Sequence, residues 1–286
     1  MDLNGDGKVD ILSGSYSRDE GDMAGLFQVL WGVEGGGFKA PAVLNGTDGQ
    51  PLIIADDDDI PRICTRPTAV DLNGDGKLDI VSGNFAGTFA FFPGEGEGRF
   101  APKHTLLTGA DGASLNVDDH SDPFFVDWDG DGDLDLLSGS ASGGVSLFVN
   151  LGSKKEAKFG KPVALVPAVE NEPSGARMGD EWLKGPQSDT RVWADDLNGD
   201  GKLDLLIGDS VTLVYPAAGL EVAQAREKLA EWSARMEKAG AALRAGGGPT
   251  AEDKKKYQEE WQKLRKERET IVREDSTGFV WVMYRK

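Results

Sequence analysis

Aspartate and asparagine side chains recur in one nine-residue pattern at four places in the chain. The four loops begin at residues 2, 71, 127 and 196, and each has Asp or Asn at its positions 1, 3, 5 and 9 and Gly at position 6. Hard oxygen ligands at alternate positions of a short turn suit Ca²⁺, at roughly 2.3–2.6 Å. The chain has only two His and one Cys, so it offers little to zinc or copper. The loops therefore predict calcium sites.

We predict three to four bound Ca²⁺ ions, with position 7 contributing only its backbone carbonyl. Loop three, with aspartate at positions 1, 3, 5 and 9, is expected to bind most tightly, and loop one, at a chain end, is the first that we expect to be empty. A turn without metal is the alternative, although its clustered carboxylates would repel one another. The predicted site residues are Asp2, Asn4, Asp6, Lys8 and Asp10; Asp71, Asn73, Asp75, Lys77 and Asp79; Asp127, Asp129, Asp131, Asp133 and Asp135; and Asp196, Asn198, Asp200, Lys202 and Asp204.

An EF-hand shares the first half of this pattern but needs a bidentate Glu at position 12. That position holds Ser in three loops and Ile207 in the fourth. Each loop is instead followed by a short apolar strand, and loops two to four are preceded by another strand. After loops one to three comes a second apolar stretch and then, past a Gly-rich turn, a third stretch that opens with Phe38, Phe100 or Phe159. Four-stranded units at spacings of 69, 56 and 69 residues are typical of propeller blades. We therefore predict an all-β fold, a β-propeller with about four blades.

The four loops with their flanking strands resemble FG-GAP/VCBS repeats, the blades of integrin α-subunit heads and of many bacterial secreted proteins. The resemblance covers about residues 1–215 and resumes near 276–286. It implies that the calcium loops are structural and lie on the face opposite the ligand. It also implies a module that binds or adheres to a protein or glycan, and an extracellular, periplasmic or cell-surface location.

A different pattern begins near Leu220. Apolar residues at alternating steps of three and four predict a helix, a Gly-rich break follows at 246–248, and a second helix with a similar seam comes next. We expect an antiparallel helical hairpin over 219–275, inserted between two strands of the last blade. The predicted domains are therefore propeller blades over 1–218, the hairpin over 219–275 and a returning propeller strand over 276–286.

The two ends of the predicted propeller are incomplete. Blade one lacks its innermost strand and blade four its outermost, and neither terminus supplies a spare strand. Because propellers close by completing the last blade, we expect either self-association or further blades from a longer chain.

A ligand site is expected on the face opposite the loops. Arg66, Asp122 and Arg191 occupy one repeat position, at the start of each innermost strand, and should converge at the mouth of the central channel. Arginine there suits a carboxylate on a sugar or peptide, although salt bridges between blades are an equally good reading. His120 lies beside Asp118 and Asp119 and is the one candidate base near acids. Weaker candidates are the acidic run at 56–59, a sugar platform of Trp182 and Trp193, and His104 and Cys64 as packing residues.

Composition narrows the class of function. A net charge of −18 disfavours nucleic-acid binding, and no apolar run is long enough to insert in a membrane. The first hypothesis is a non-enzymatic calcium-binding module. The second is an enzyme acting on polysaccharides through His120 and the arginines, and the third is an assembly scaffold that uses the hairpin. Enzymatic activity is the less favoured reading because no nucleophile–base motif is present.

Overall fold

The structure of the chain is a computed structural model. It describes residues 1–16, 24–54, 63–169, 178–179, 183–244 and 250–286. The chain forms two compact units. The first comprises Met1–Val169, Pro186–Asp209 and Val280–Lys286, and the second comprises Glu170–Gly185 and Ser210–Phe279.

The first unit contains small antiparallel sheets arranged as propeller blades. Blade one is a three-stranded sheet of β1 (Ile11–Ser13), β2 (Gln28–Leu30) and β3 (Ala42–Val43). Blade two is a four-stranded sheet in the order β4-β5-β6-β9, with a small hairpin, β7-β8, between its last two strands. Its strands are β4 (Arg66–Val70), β5 (Asp79–Gly83), β6 (Phe89–Phe92), β7 (Gly94–Gly96), β8 (Arg99–Phe100) and β9 (Thr105–Leu106).

Blades three and four repeat this plan. Blade three is a four-stranded sheet, and blade four begins with two strands. The strands of blade three are β10 (Asp122–Val126), β11 (Asp135–Gly139), β12 (Val145–Phe148) and β13 (Val163–Val166). The first two strands of blade four are β14 (Ser188–Asp195) and β15 (Asp204–Pro216). The predicted β-propeller of four blades is confirmed. The outermost strands lie a few residues later than predicted, because β3, β9 and β13 each begin after the Pro that follows the aromatic residue.

The second unit includes the last part of β15. It contains α1 (Val222–Arg244), α2 (Ala251–Ile271) and β16 (Val272–Thr277), and β16 pairs with Val211–Pro216 of β15. Ala225, Leu229 and Ile271 are buried in its small apolar cluster. Trp232 Nε1 donates to the carbonyl oxygen of Leu264 at 2.7 Å. Neither helix is long and apolar enough to cross a bilayer.

The chain then returns to blade four. β17 (Val280–Met283) pairs antiparallel with the first part of β15, from Leu205 to Gly208. Within the first unit and the described residues, blades one and four therefore have three strands each, as the sequence predicts.

Three apolar clusters hold the blades of the first unit together, one between each pair of consecutive blades. The first joins blades one and two and includes Phe27 and Phe92. The second joins blades two and three through Phe89 and Phe148. The third joins blades three and four around Leu137. Blades two and three are thus fixed by the burial of both faces, and blades one and four by the burial of one face, which places the loops at equivalent positions.

Candidate functional site

The aspartate loops occupy the same turn in each repeat. Loops two, three and four lie between the first two strands of their blades, and loop one precedes β1. The flanking elements are strands, so the surroundings of the loops are not those of an EF-hand.

The aspartate at position 9 holds each loop to its blade. Both oxygens of its carboxylate accept backbone N–H groups, one from position 2 of the loop and one from the end of the third strand. The distances for Asp135 are 2.9 Å from Trp128 N and 2.7 Å from Asn150 N. Asp10, Asp79 and Asp204 make the equivalent pairs of bonds. Burial raises the pKa of Asp79 and Asp135, while the amide donors oppose the shift.

The aspartate at position 1 closes the turn itself. Asp196 accepts backbone N–H groups from Gly199, Asp200 and Gly201. These bonds lower the pKa of Asp196, although burial opposes them. Such bonds favour the ionised form of the carboxylate, which is the form that binds a cation.

Loop three is the most acidic of the four. Asp127, Asp129 and Asp135 each place a carboxylate oxygen within 4.8 Å of the others, and they are the acidic group of the described residues that fits a metal ion. Asp133 Oδ1 lies in the same loop, is buried and has no hydrogen-bond partner. Burial and then the charges of Asp131, Asp135 and Asp129 raise the pKa of Asp133.

Position 7 distinguishes loop three from the other loops. The ammonium group of Lys8 lies 3.5 Å from Asp6 Oδ2, and that of Lys77 lies 3.8 Å from Asp75 Oδ2. A lysine thus supplies positive charge beside the position-5 carboxylate in loops one and two. Loop three has Asp133 at this position, with its Oδ1 buried and without a hydrogen-bond partner, so its donor set fits a divalent cation of the calcium type.

The predicted ligand residues converge at the opposite ends of the same strands. Arg66, Asp122 and Arg191 line one cavity of about 350 Å³ in the first unit, together with Tyr16 and Cys64. The innermost strands β4 and β10 have five residues each, so this cavity lies roughly 16 Å from the loops at ~3.3 Å per residue.

The charges in this cavity are unequal. Two guanidinium groups face one carboxylate, that of Asp122, whose pKa is raised by burial and lowered in part by Arg191 and Arg66. Arg66 Nη1 donates to the carbonyl oxygen of His120 at 3.2 Å. Arg191 is exposed. The cavity can therefore accept a negatively charged group.

A repeated entry turn positions these side chains. The residue two places before each of Arg66, Asp122 and Arg191 has a positive φ, 61° for Cys64, 49° for His120 and 50° for Asp189. The next residue is Thr65, Ser121 or Thr190, whose buried hydroxyl donates to a carbonyl oxygen of the preceding blade.

Serine hydroxyls of the second strand hold the backbone at the same place. Ser82 Oγ accepts the backbone N–H of Arg66, and Ser138 Oγ accepts that of Asp122, each at 3.1 Å. The Ser-Gly pairs that follow the loops in the sequence thus fix the cavity as well as the strand. Sequence reasoning missed this role of the serines.

His120 contacts two acids. Its Nδ1 lies 3.3 Å from Asp189 Oδ1 and its Nε2 lies 3.9 Å from Asp119 Oδ1. The ring packs on Phe85 at 4.6 Å between centroids, and Nε2 is buried without a hydrogen-bond partner. Asp189 was missed at the sequence level, although it occupies the repeat position of His120 and Cys64.

The weaker candidates lie apart from this cavity or outside the described residues. Trp193 is 54% exposed and packs on Phe124 at 4.9 Å between ring centroids. Its suggested partner Trp182 and the acidic run 56–59 lie outside the described residues. His104 packs on Phe92, in agreement with a packing role. Cys64 is 1% exposed, and burial raises the pKa of its thiol, which fits the predicted small apolar residue and makes it a poor nucleophile.

The repeats of this chain match a known family of repeats. Residues 71–138 and 127–207 match the model of the FG-GAP-like repeat. The chain contains FG-GAP-like repeats. The matches run from the aspartate loop of blade two to the first part of β15 in blade four, and they include three aspartate loops. No curated protein sequence matches the chain.

Solved structures also match the chain. One is a lectin of Agrocybe aegerita, reported for specific recognition of non-reducing terminal N-acetylglucosamine, with 19% identity over 72% of this chain and a TM-score of 0.36. Another is the TcdB2-TccC3 crystal structure, with 15% identity over 83% of this chain and a TM-score of 0.31. The chain spans 45% and 14% of the lengths of those two proteins.

Proposed function

We propose that this chain is a non-enzymatic, calcium-stabilised binding module that acts outside the cytoplasm. Its ligand would be a protein or glycan with a carboxylate group, held at the cavity of Arg66, Asp122 and Arg191. The observation that carries the proposal is the convergence of these residues from three blades into one cavity. FG-GAP-like repeats are typical of extracellular proteins, which supports the location.

The chemistry of the cavity favours an anionic ligand. Arginine offers paired N–H donors in a planar fork that matches a carboxylate. Arg66 already donates one N–H group to the carbonyl oxygen of His120. Arg191 is exposed and lies beside the same cavity, so it is the residue that we expect to contact the ligand first.

Titration with uronic-acid oligosaccharides and with peptides ending in a free carboxylate tests this site. We expect saturable heat or ligand-observed NMR signals that Arg191→Ala abolishes. Neutral oligosaccharides of the same length provide the ligand control. The variant Arg99→Ala provides the protein control, because the Arg99 side chain is 60% exposed and pairs with Glu97 outside the cavity. Equal binding by the Arg191→Ala variant would contradict the proposal.

Calcium would be held by the aspartate loops, with loop three as the tightest site. Asp127, Asp129, Asp131 and Asp135 would supply oxygen ligands there, and the ion would neutralise carboxylates that otherwise repel one another. The support is the cluster of three carboxylate oxygens together with the buried, unpartnered Asp133 Oδ1. Residues of loops one, two and four would hold further ions, three to four in all.

Exchanging position 7 between loops tests the calcium proposal. Asp133→Lys gives loop three the residue of the other loops, and Lys77→Asp does the reverse in loop two. We expect Asp133→Lys to weaken the tightest calcium site and Lys77→Asp to strengthen a weaker one, as measured by calorimetric titration after chelation. Elemental analysis that finds no bound calcium in the native chain would contradict the proposal.

The enzymatic alternative depends on His120, because its ring nitrogens lie near the carboxylates of Asp119 and Asp189. The buried position of its Nε2 does not favour proton transfer to a substrate. Activity on uronic-acid polymers that is lost in His120→Ala would support the enzyme and displace the binding module.

We infer that α1 and α2 run antiparallel. Ala225, near the start of α1, and Ile271, at the end of α2, share one apolar cluster. Trp232 Nε1 donates to the carbonyl oxygen of Leu264, about two turns later in α1 and about two turns earlier in α2. This arrangement would be the helical hairpin that the sequence predicts, and deletion of both helices tests a scaffold role for it.

A further inference from the structure

In each blade of the first unit, the repeat position of a strand residue determines which of the two faces of the blade it lies on. We call the face that packs on the next blade in sequence the following face and the other the preceding face. In the second strand, Leu12, Val81 and Leu137 lie on the following face and pack in the clusters after their own blades. Successive residues of a strand point to opposite sides, so the neighbouring positions belong to the preceding face.

The third strand obeys the same rule. Phe27, Phe89 and Val145 are equivalent residues of blades one, two and three, and they are 0%, 0% and 1% exposed against the next blade. The register of the strand pairs makes Val280 the equivalent residue of blade four, since Gly83 pairs with Phe89 and Gly208 pairs with Val280.

The following face of blade four is apolar and exposed. Val280 is 69% exposed and Val282 is 47% exposed. Trp281 and Met283, on the other side of β17, pack against blade three. The exposure is therefore confined to the side on which blades one to three each carry a neighbour.

The glycine at the end of the second strand also distinguishes blade four from the other blades. A Cβ on Gly14, Gly83 or Gly139 would lie 1.9–2.0 Å from a backbone carbonyl oxygen of the next blade. These oxygens belong to Thr65, Ser121 and Thr190, respectively. The equivalent Gly208 has nothing within 4 Å among the described atoms. Blade four thus keeps a glycine at the repeat position that makes room for a following blade.

In blade one, the preceding face is the one that exposes apolar residues. Ile11 is 42% exposed and Val9 is 65% exposed. Their equivalents in blade two are Ile80, which is 0% exposed, and Leu78, which packs in the cluster with blade one. Among the described residues, blade four therefore has an exposed apolar following face, and blade one has an exposed apolar preceding face.

We propose that these two faces bind each other between two copies of the chain. The following face of blade four in one copy packs on the preceding face of blade one in the other, and the second junction closes the ring. The surface is the continuation of three interfaces already present within the chain, so a blade of the same repeat fits it. Blade one packs on blade two with three strands, which shows that a three-stranded blade can form such an interface.

A closed ring explains the choice of two copies. Four blades from each copy give eight, within the range of about 4–8 blades that propellers adopt. A head-to-tail contact that closes forms a ring, and one that does not close forms a filament. Closure covers both exposed faces and leaves none for further growth.

Sedimentation equilibrium of the full chain in calcium tests the ring. We expect a single species of twice 30.5 kDa. Val280→Asp and Ile11→Asp should each weaken the dimer at least about tenfold, because each places a charge at the centre of both junctions. A native chain that stays monomeric at micromolar concentrations, or whose mass grows steadily with concentration, would overturn the proposal.

Mixing the two variants distinguishes the head-to-tail ring from other dimers. An equimolar mixture of Val280→Asp and Ile11→Asp contains one intact pair of faces, so dimer should partly return. If only one variant weakens the dimer, two identical faces must be in contact and the proposal is wrong. Val163→Asp, at a residue 53% exposed on β13, is the matched control and should leave the dimer intact. Val282→Asp replaces Val280→Asp if circular dichroism shows that the latter does not fold.

Discussion

The backbone N–H of Arg285 donates to Asp204 Oδ1 at 2.9 Å, although the two residues are 81 positions apart in sequence. Blades two and three make the same bond over 15 positions, from Gly94 to Asp79 and from Asn150 to Asp135. The loop aspartate of blade four thus holds a strand that returns only after both helices. The guanidinium of Arg285 also donates to the carbonyl oxygen of Trp128 at 2.8 Å and lies 4.6 Å from the centroid of its ring.

Because blade four makes the same bond as blades two and three, we predict that the propeller folds without the helices. Replacing residues 210–278 with Asn-Gly joins two strands that already pair, Gly208 with Val280, through a short turn. We expect the variant to keep its calcium content and a cooperative thermal transition within a few degrees of the native one. Loss of calcium or of cooperativity would show that the insertion stabilises the blades. A changed oligomeric state with calcium retained would instead support the scaffold role.

Gly83→Ala is expected to destabilise the propeller strongly. Its Cβ would lie 2.0 Å from the carbonyl oxygen of Ser121, a backbone atom that can move only with the next blade. We expect a loss of about 3 kcal/mol in the free energy of unfolding, measured by urea denaturation. Gly208→Ala occupies the equivalent position with nothing within 4 Å and should change stability by less than about 0.5 kcal/mol. Equal effects of the two variants would contradict the assignment of blade four as the open end.

Asp135→Ala is expected to destabilise the chain even without calcium. It removes the acceptor of two buried backbone N–H groups, from Trp128 and Asn150, and each unpaired group costs about 1–3 kcal/mol. In excess chelator we expect a loss of at least about 2 kcal/mol. Asp129→Asn is the control: it should leave the chelated protein almost unchanged and reduce only the stabilisation that calcium adds. The reverse order of effects in chelator would show that position 9 acts through metal alone.

Asp122 should make the stability of the propeller depend on acidic pH. Burial raises its pKa above the usual value of 3.8, so the folded state binds the proton more readily than the unfolded state. The ionised carboxylate therefore costs stability above the folded pKa, and this cost disappears as pH falls through that pKa towards 3.8. Asp122→Asn should be more stable than the native chain at neutral pH, with an advantage that shrinks over this acidic range. A constant difference between the two proteins, measured by urea denaturation at each pH, would contradict the role of burial.

The repeated loops made much of the fold predictable. Four copies of one pattern fix the spacing of the blades, and apolar positions on both sides of each strand require neighbours on both sides, so the propeller and its incomplete ends follow from the sequence. The bounds of the insertion were harder to predict, because β15 and β16 extend the sheet with residues such as Asp209, Glu274 and Asp275 that carry no strand signal.

The candidate sites divide in the same way. The aspartate loops could be predicted from the sequence, since their oxygen donors lie within nine residues, and the repeats also place Arg66, Asp122 and Arg191 at one repeat position. Only the tertiary structure brings Asp189 to His120 across 69 residues and leaves Asp133 Oδ1 buried without a partner. It alone shows that the face of Val280 is exposed where its equivalents are covered. The sequence determines what each repeat can do by itself, whereas contacts between blades depend on which blade stands next, and that is a property of the assembled chain.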